Sequence, residues 1–239
     1  DGVICENPSF ISSLNAIRSY NGGRLIGIPV DDEGMRMDYL EDALKREKNI
    51  KFIYTIPTFQ NPTGVTLSLQ RRKQMLELAK KYNVMILEDS PYFELRYSGE
   101  YIPTIKSMDT DGIVTFVGSL SKILAPSIRV GFLIGPDEVV KKVTKCKQIS
   151  DVHTSTLMQA MCSEYLTNYD VDGHIKLICD QYRDSRDVML EALRGIDERV
   201  RYTHPEGGLF LWAKMPKGYV AEKLLDRILD AGKSFLGIH

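Results

Sequence analysis

Lys122 sits in the stretch GSLSKILAPSIR, residues 118–129, with Ser119 and Ser121 just before it and Arg129 after it. The apolar run 113–117 leads into this stretch, so the lysine follows a strand. A lysine amine is a nucleophile only when neutral, and at its ordinary pKa only about one in a few thousand is neutral at pH 7. In a dry pocket, or condensed with an aldehyde, it becomes a Schiff-base former. Two further strand ends carry polar groups. Residues 51–56 lead into PTFQNPTG with Asn61, and residues 84–87 lead into EDSPY with Asp89 and Tyr92. Ligands of open α/β sheets bind outside the carboxyl ends of the strands. If the three strands share a sheet, Asn61, Asp89, Tyr92 and Lys122 gather at one edge.

The chemistry of that set describes a ligand in four parts. Lys122 suits an aldehyde. A buried Asp89 needs a cation. A protonated pyridine nitrogen would serve, since an opposite charge at contact shifts a pKa by roughly 1–3 units. Asn61 and Tyr92 suit a phenolic ring oxygen. The hydroxyls of Ser119 and Ser121 and the fork of Arg129 suit a phosphate. Aldehyde, pyridine nitrogen, ring oxygen and phosphate together make pyridoxal 5′-phosphate. Each residue also has a plainer reading. Glu88 and Asp89 point to opposite faces of a strand, and spacing alone does not choose between them. Asn61-Pro62-Thr63-Gly64 also reads as a turn. Arg129 could pair with a structural carboxylate, Tyr92 could be packing, and the two serines could be ordinary loop residues.

The elements that must position these groups alternate in type. Residues 3–5, 25–30, 51–56, 84–87, 113–117 and 130–134 read as strands. Residues 9–20, 38–46 and 68–82 read as helices, and Pro136 opens another at its first position. The helix at 38 carries a capping-box start, Asp38 followed by Glu41, and Ser68 caps the next. This alternation implies an α/β fold, a mostly parallel sheet sandwiched by helices. After about residue 150 the pattern changes. Residues 155–166 and 174–193 are helical, 200–203 and 209–213 read as strands, and 221–231 as a helix. That tail reads as part of a smaller α+β domain, ending in the apolar run 235–238.

The runs ENPSF, YTIPTFQNPTG, RRKQMLELAKKYNVMILEDSPY, GSLSKILAPSIRVGF and PEGGLFLW resemble, in order, the fold type I pyridoxal-phosphate enzymes, specifically the class I/II aminotransferases. The resemblance is nearest to the branch with 2-aminoadipate, kynurenine and aromatic aminotransferases. It implies a large cofactor-binding domain over 1–175, and a bridging helix with part of a small domain over 176–239. It also implies roles. Lys122 forms the Schiff base and moves the proton. Asp89 is chosen over Glu88 to pair the pyridine nitrogen. Asn61 and Tyr92 bond the ring oxygen, and Ser119, Ser121 and Arg129 hold phosphate. Phe10 takes the place of the aromatic residue stacked on the ring. The substrates implied are an amino acid and a 2-oxo acid, and the assembly a homodimer. The family's glycine-rich loop would lie upstream of this chain and its carboxylate-gripping arginine downstream. The chain therefore reads as a central segment, expected to turn over little or not at all alone. A lyase or decarboxylase of the same fold, and the ligand-sensing half of a transcription regulator, are the alternatives.

Bulk properties narrow the field. The 239 residues are 43% hydrophobic and 26% charged, with net charge −1. That balance gives no reason to expect nucleic acid or an anionic membrane as a partner. No apolar run approaches the ~20 residues of a membrane span. Cys5, Cys146, Cys162 and Cys179 are widely spaced, which favours free thiols in a reducing cytoplasm. The four histidines are equally scattered, so no metal motif forms. There is no GxGxxG after a strand and no Walker loop.

Overall fold

The computed structural model describes residues 1–20, 23–196, 198–220 and 223. A seven-stranded sheet forms the centre, built from β1 (Gly2–Asn7), β2 (Arg24–Asp31), β3 (Gly34–Met35), β4 (Ile50–Thr55), β5 (Met85–Asp89), β6 (Val114–Ser119) and β7 (Gly131–Ile134). Its order is β3-β2-β1-β4-β5-β6-β7. The five inner strands run parallel, and the edge strands β3 and β7 run antiparallel. The mostly parallel sheet expected from the alternation is present.

Strand alternation sorts the side chains into two cores. Ile4, Ile53, Ile86 and Val114 face one side, under α2 (Met37–Arg46) and α3 (Leu69–Tyr82), whose Leu40, Ala43, Met75 and Ala79 complete that core. Val3, Cys5 and Tyr54 face the other side. That face is covered by α1 (Ile11–Ser19), through Leu14 and Ile17, and by α5 (Thr156–Asn168) and α6 (Val171–Leu193), through Cys162 and Cys179. Helix α4 (Asp137–Ser150) connects β7 to this layer. All four cysteines are free thiols. No helix among the described residues is long and apolar enough to cross a membrane.

Some local readings shift. Asp38 does not cap α2. The helix begins at Met37 with Arg36 as its N-cap residue and no side-chain cap. Asp38 sits inside the first turn, held by the Arg36 guanidinium at 2.9 Å. Ser68 does cap α3, accepting from the Arg71 backbone N–H. Pro136 is the N-cap residue of α4, just outside the first turn. Helix α6 begins at Val171, capped by Asp170, and runs unbroken past residue 175. The expected strand 209–213 shrinks to β9 (Ala213–Lys214), paired antiparallel with β8 (Arg201–Tyr202). The segment before it is used for docking. Tyr97 and Ser98 N–H groups donate to Glu206 O, and Gly208 N–H donates to Leu95 O. Apart from Lys223, the helix expected at 221–231 lies outside the described residues, as does the run 235–238.

The sheet order reverses between β1 and β4. The chain leaves β1 through α1 on one face and leaves β4 through α3 on the other. Diverging connections of this kind open a crevice at the carboxyl edge. The loop after β4 borders it and is held by two buried charged side chains. Arg72, with no exposed surface, donates to Leu67 O (2.9 Å), Pro57 O (2.8 Å), Thr58 Oγ1 (2.8 Å) and Pro103 O (3.0 Å). Glu6, 3% exposed, accepts from Thr55 Oγ1 (2.6 Å), Ile56 N–H (3.1 Å) and Gln60 Nε2 (3.2 Å). Burial pushes the Glu6 carboxyl up to about 7, against the pull of those three donors.

Two outcomes follow for stability. Arg72→Met removes four hydrogen bonds, only Pro57 O among the described residues keeping another donor in the Leu67 N–H, and should lower the unfolding free energy by roughly 2–4 kcal/mol in urea titrations. Glu6 binds its proton more tightly in the folded state than in the unfolded one. Its contribution is therefore complete below pH ~4.5 and lost as pH rises through about 7. Relative to Glu6→Gln, the wild type should lose on the order of 3 kcal/mol across that window, read from unfolding curves at several pH values.

Candidate active site

Asp89 is the last residue of β5 and pairs in register with Val117 of β6. Its neighbour Glu88 pairs with Phe116 and with Thr55 of β4. Alternation turns the two acids to opposite faces, and their partners show which is which. Glu88 is fully buried and accepts the backbone N–H groups of Ile105 (3.0 Å) and Lys106 (2.7 Å). Its acceptor capacity serves the turn before β6. Asp89 faces the α1 side, where Tyr54 OH donates to it at 2.7 Å. Ser13 Oγ lies 3.0 Å from the same hydroxyl. Burial raises the Asp89 pKa and the Tyr54 bond opposes the rise. Burial also raises the Tyr54 phenol, helped by the adjacent Asp89 charge. Tyr54 therefore stays a neutral donor.

A second polar pair lies beside the first. Asn61 Nδ2 donates to Tyr92 OH at 3.3 Å. Accepting there, Tyr92 keeps its own hydrogen for another partner, and Asn61 keeps the second hydrogen of its amide. Burial raises the Tyr92 pKa, so it too remains a donor. The ring of Tyr92 is 5% exposed and meets Phe210 edge-on at 5.4 Å. Phe210 brings the PEGGLF segment to the site.

Lys122 ends a 3-10 turn, Leu120–Lys122, that starts directly from β6. Ser119 opens the turn, and its Oγ accepts the Ser121 N–H at 3.2 Å. Leu120 and Ile123, on either side, are buried in the same cluster as Tyr54 and Tyr92, with Phe10 packed against it. The turn thus anchors Lys122 on the face that carries Asp89. Lys122 is half-buried, with no hydrogen-bond or ion-pair partner among the described residues. Ser121 is buried. Arg129 is exposed, in a left-handed conformation (φ 52°), and its guanidinium reaches Pro126 O at 3.4 Å. Among the described residues it makes no hydrogen bond to either serine. Phe10 is the N-cap residue of α1.

The sequence-predicted residues therefore fall into groups: Asp89 with Tyr54, Asn61 with Tyr92, Ser119 with Ser121, and Lys122 and Phe10 against the shared cluster. Tyr54 and Ser13 were not anticipated. A signal for Tyr54 existed, because it precedes the end of β4 at a position alternating onto the Asp89 face. The donor set fits pyridoxal phosphate. Asp89 is a desolvated carboxyl with one hydroxyl donor among the described residues, and a pyridinium would supply the missing positive charge. Asn61 and Tyr92 retain hydrogens for a ring oxygen, and Lys122 offers an unpaired amine.

Comparison with known proteins agrees with this arrangement. The sequence model for aminotransferase class I and II matches residues 1–236. Aromatic-amino-acid aminotransferase 1 of Thermococcus litoralis is 41% identical over 99% of this chain and 58% of its own length. The kynurenine aminotransferase of Pyrococcus horikoshii, solved with PMP, superposes with TM-score 0.94 at 41% identity, over 97% of this chain and 58% of that one. LysN, the α-aminoadipate aminotransferase of Thermus thermophilus, was solved with N-(5′-phosphopyridoxyl)-L-leucine. It superposes with TM-score 0.91 at 35% identity, over 96% of this chain and 59% of that one. The chain thus spans a little under three fifths of the proteins it matches. With a family match along nearly its whole length and the fold to accompany it, the chain belongs to the class I and II aminotransferases.

Proposed function

We propose that this protein moves an amino group from an amino acid to a 2-oxo acid, with pyridoxal 5′-phosphate as its cofactor. The observation that carries the reading is the partly buried, desolvated Asp89 carboxyl at the sheet's carboxyl edge, on the face that also holds the Asn61–Tyr92 pair and the Lys122 turn. When bound, the cofactor supplies an aldehyde for amines and a protonated ring that draws electrons from the substrate carbon. Asp89 keeps the ring nitrogen protonated, because in a desolvated site its charge is stabilised only by a cation. Tyr54 holds that carboxyl in place. Asn61 and Tyr92 donate to the ring oxygen and fix the ring's rotation. Phe10 covers one face of the ring. Ser119, Ser121 and Arg129 would take the phosphate. Lys122 Nζ would hold the cofactor's aldehyde end and, when its amine is free, would serve as the base that moves the proton at the substrate's α-carbon.

The relatives' names support an amino donor with an aromatic or long acidic side chain. The same reading carries three further proposals: a cofactor domain over 1–175 with a bridging helix and part of a small domain over 176–239, a homodimer, and a cytoplasmic protein. Reduction with borohydride in the presence of pyridoxal phosphate should attach the label to Lys122, located by peptide mapping, and Lys122→Ala should take none. A label on another lysine, or none on the wild type, defeats the reading. In the whole protein, Asp89→Asn should lower transamination by roughly two to three orders of magnitude, equivalent to about 3–4 kcal/mol.

A further inference from the structure

We propose that Glu6 and Gln60 are a positioning pair that fixes the gap between Phe10 and Asn61, and so the slot in which the cofactor ring is gripped. This rests on the cofactor roles proposed above for those two residues. Glu6 lies near the end of β1 and Gln60 in the loop after β4, on either side of the point where the sheet order reverses. From there the two connections diverge, so backbone pairing between β1 and β4 no longer sets their separation. Side chains must set it instead.

The contacts are specific. The Glu6 carboxyl reaches across to Thr55 Oγ1, Ile56 N–H and Gln60 Nε2. Gln60 Nε2 reaches back, donating to Pro8 O at 2.9 Å. Pro8 lies two residues before Phe10. The other end of the same amide, Gln60 Oε1, accepts the Thr63 N–H at 2.9 Å and Thr63 Oγ1 at 2.5 Å. Gln60 and Thr63 bracket Asn61-Pro62. One carboxyl and one amide therefore tie the segment carrying Phe10 to both flanks of Asn61. Glu6, Thr55, Gln60 and Thr63 are all at most 4% exposed.

Stability alone gives a poor account of this arrangement. A buried carboxyl carries a desolvation penalty, and apolar residues of similar volume commonly hold two elements together as well or better. Burial raising the Glu6 pKa agrees with such a penalty. Hydrogen bonds add direction that apolar contacts lack. The donors of the loop converge on the Glu6 carboxyl, Pro8 O and Gln60 Oε1, which fixes the loop's register against β1.

The test compares pyridoxal phosphate with its 3-deoxy analogue, which lacks the ring oxygen, and reads the ratio of their dissociation constants. The wild type should favour the natural cofactor by about tenfold or more, the worth of one well-made hydrogen bond in a buried site, and Asn61→Ala should lower the ratio severalfold, with Tyr92 remaining as the other donor. Gln60→Met and Glu6→Gln should lower the ratio in the same way, and adding Asn61→Ala to Gln60→Met should change it no further. If a pair variant fails to fold, Thr63→Val removes one donor to Gln60 and should lower the ratio by a smaller factor. Pair variants that weaken both ligands equally, with the ratio kept, would show a merely structural role and overturn the inference. A wild type with no preference, or one whose label is not on Lys122, overturns the cofactor reading and this inference with it. A normal wild type and Asn61→Ala, beside unaffected pair variants, sinks the inference alone.

Discussion

Asp89 is a carboxyl group taken out of water at the end of an inner strand, with one hydroxyl donor among the described residues. That desolvation is the constraint around which the site is organised. An unpaired buried charge is expensive, so the group either keeps a proton or meets a cation. A cofactor cation resolves the problem only at one place and one depth. The structure defines that place by alternation along β5, which sends Glu88 to the α2–α3 side and Asp89 to the α1 side. Glu88 shows the contrast. It has no exposed surface, yet two backbone N–H groups satisfy it, and it serves the fold.

The loop bearing Asn61 is held in a way that matches this demand. Arg72 fills four acceptors from the α3 side, and Glu6 and Gln60 engage the same loop from β1. Buried polar networks of this kind are stable only when every member is satisfied. Here the partners of Arg72, Glu6 and Gln60 are main-chain carbonyls, main-chain N–H groups and threonine hydroxyls, which have few alternative positions. The loop can therefore border an open crevice without sharing the mobility usual for surface loops.

Much of this was legible in the sequence. The strand–helix alternation implied the parallel sheet, and the three strand ends carrying Asn61, Asp89 and Lys122 do converge at its carboxyl edge. The less legible parts depended on distance along the chain. Tyr54 and Asp89 are adjacent only through the β4–β5 register. The choice between Glu88 and Asp89 needed the facing partners, since period-two spacing treats both alike. Gln60 and Glu6 looked like ordinary polar residues beside proline motifs. Their pairing spans more than fifty residues and a strand-order reversal that no local pattern reveals. Asp38 failed as a cap for a local reason: the neighbouring Arg36 competes for its carboxylate.

The segment 205–210 extends the same logic beyond the large sheet. Arg96 binds Glu206 at 2.7 Å and lies over the Phe59 ring at 4.7 Å, and Arg186 donates to Pro205 O at 3.0 Å. Gly207 packs so closely on Phe59 that a Cβ there would collide with the ring. Phe59 is fully buried in a left-handed conformation (φ 53°), a geometry that a residue with a side chain keeps only when its surroundings hold it there. It is followed at once by Gln60 and Asn61. A displacement of the segment therefore reaches Asn61 by two routes: through Gly207 and Phe59 along the backbone, and through Phe210 and Tyr92 by ring contact and hydrogen bond. The donors available to the ring oxygen are thus set jointly by the sheet edge and by the docked segment, and neither could move without moving the other.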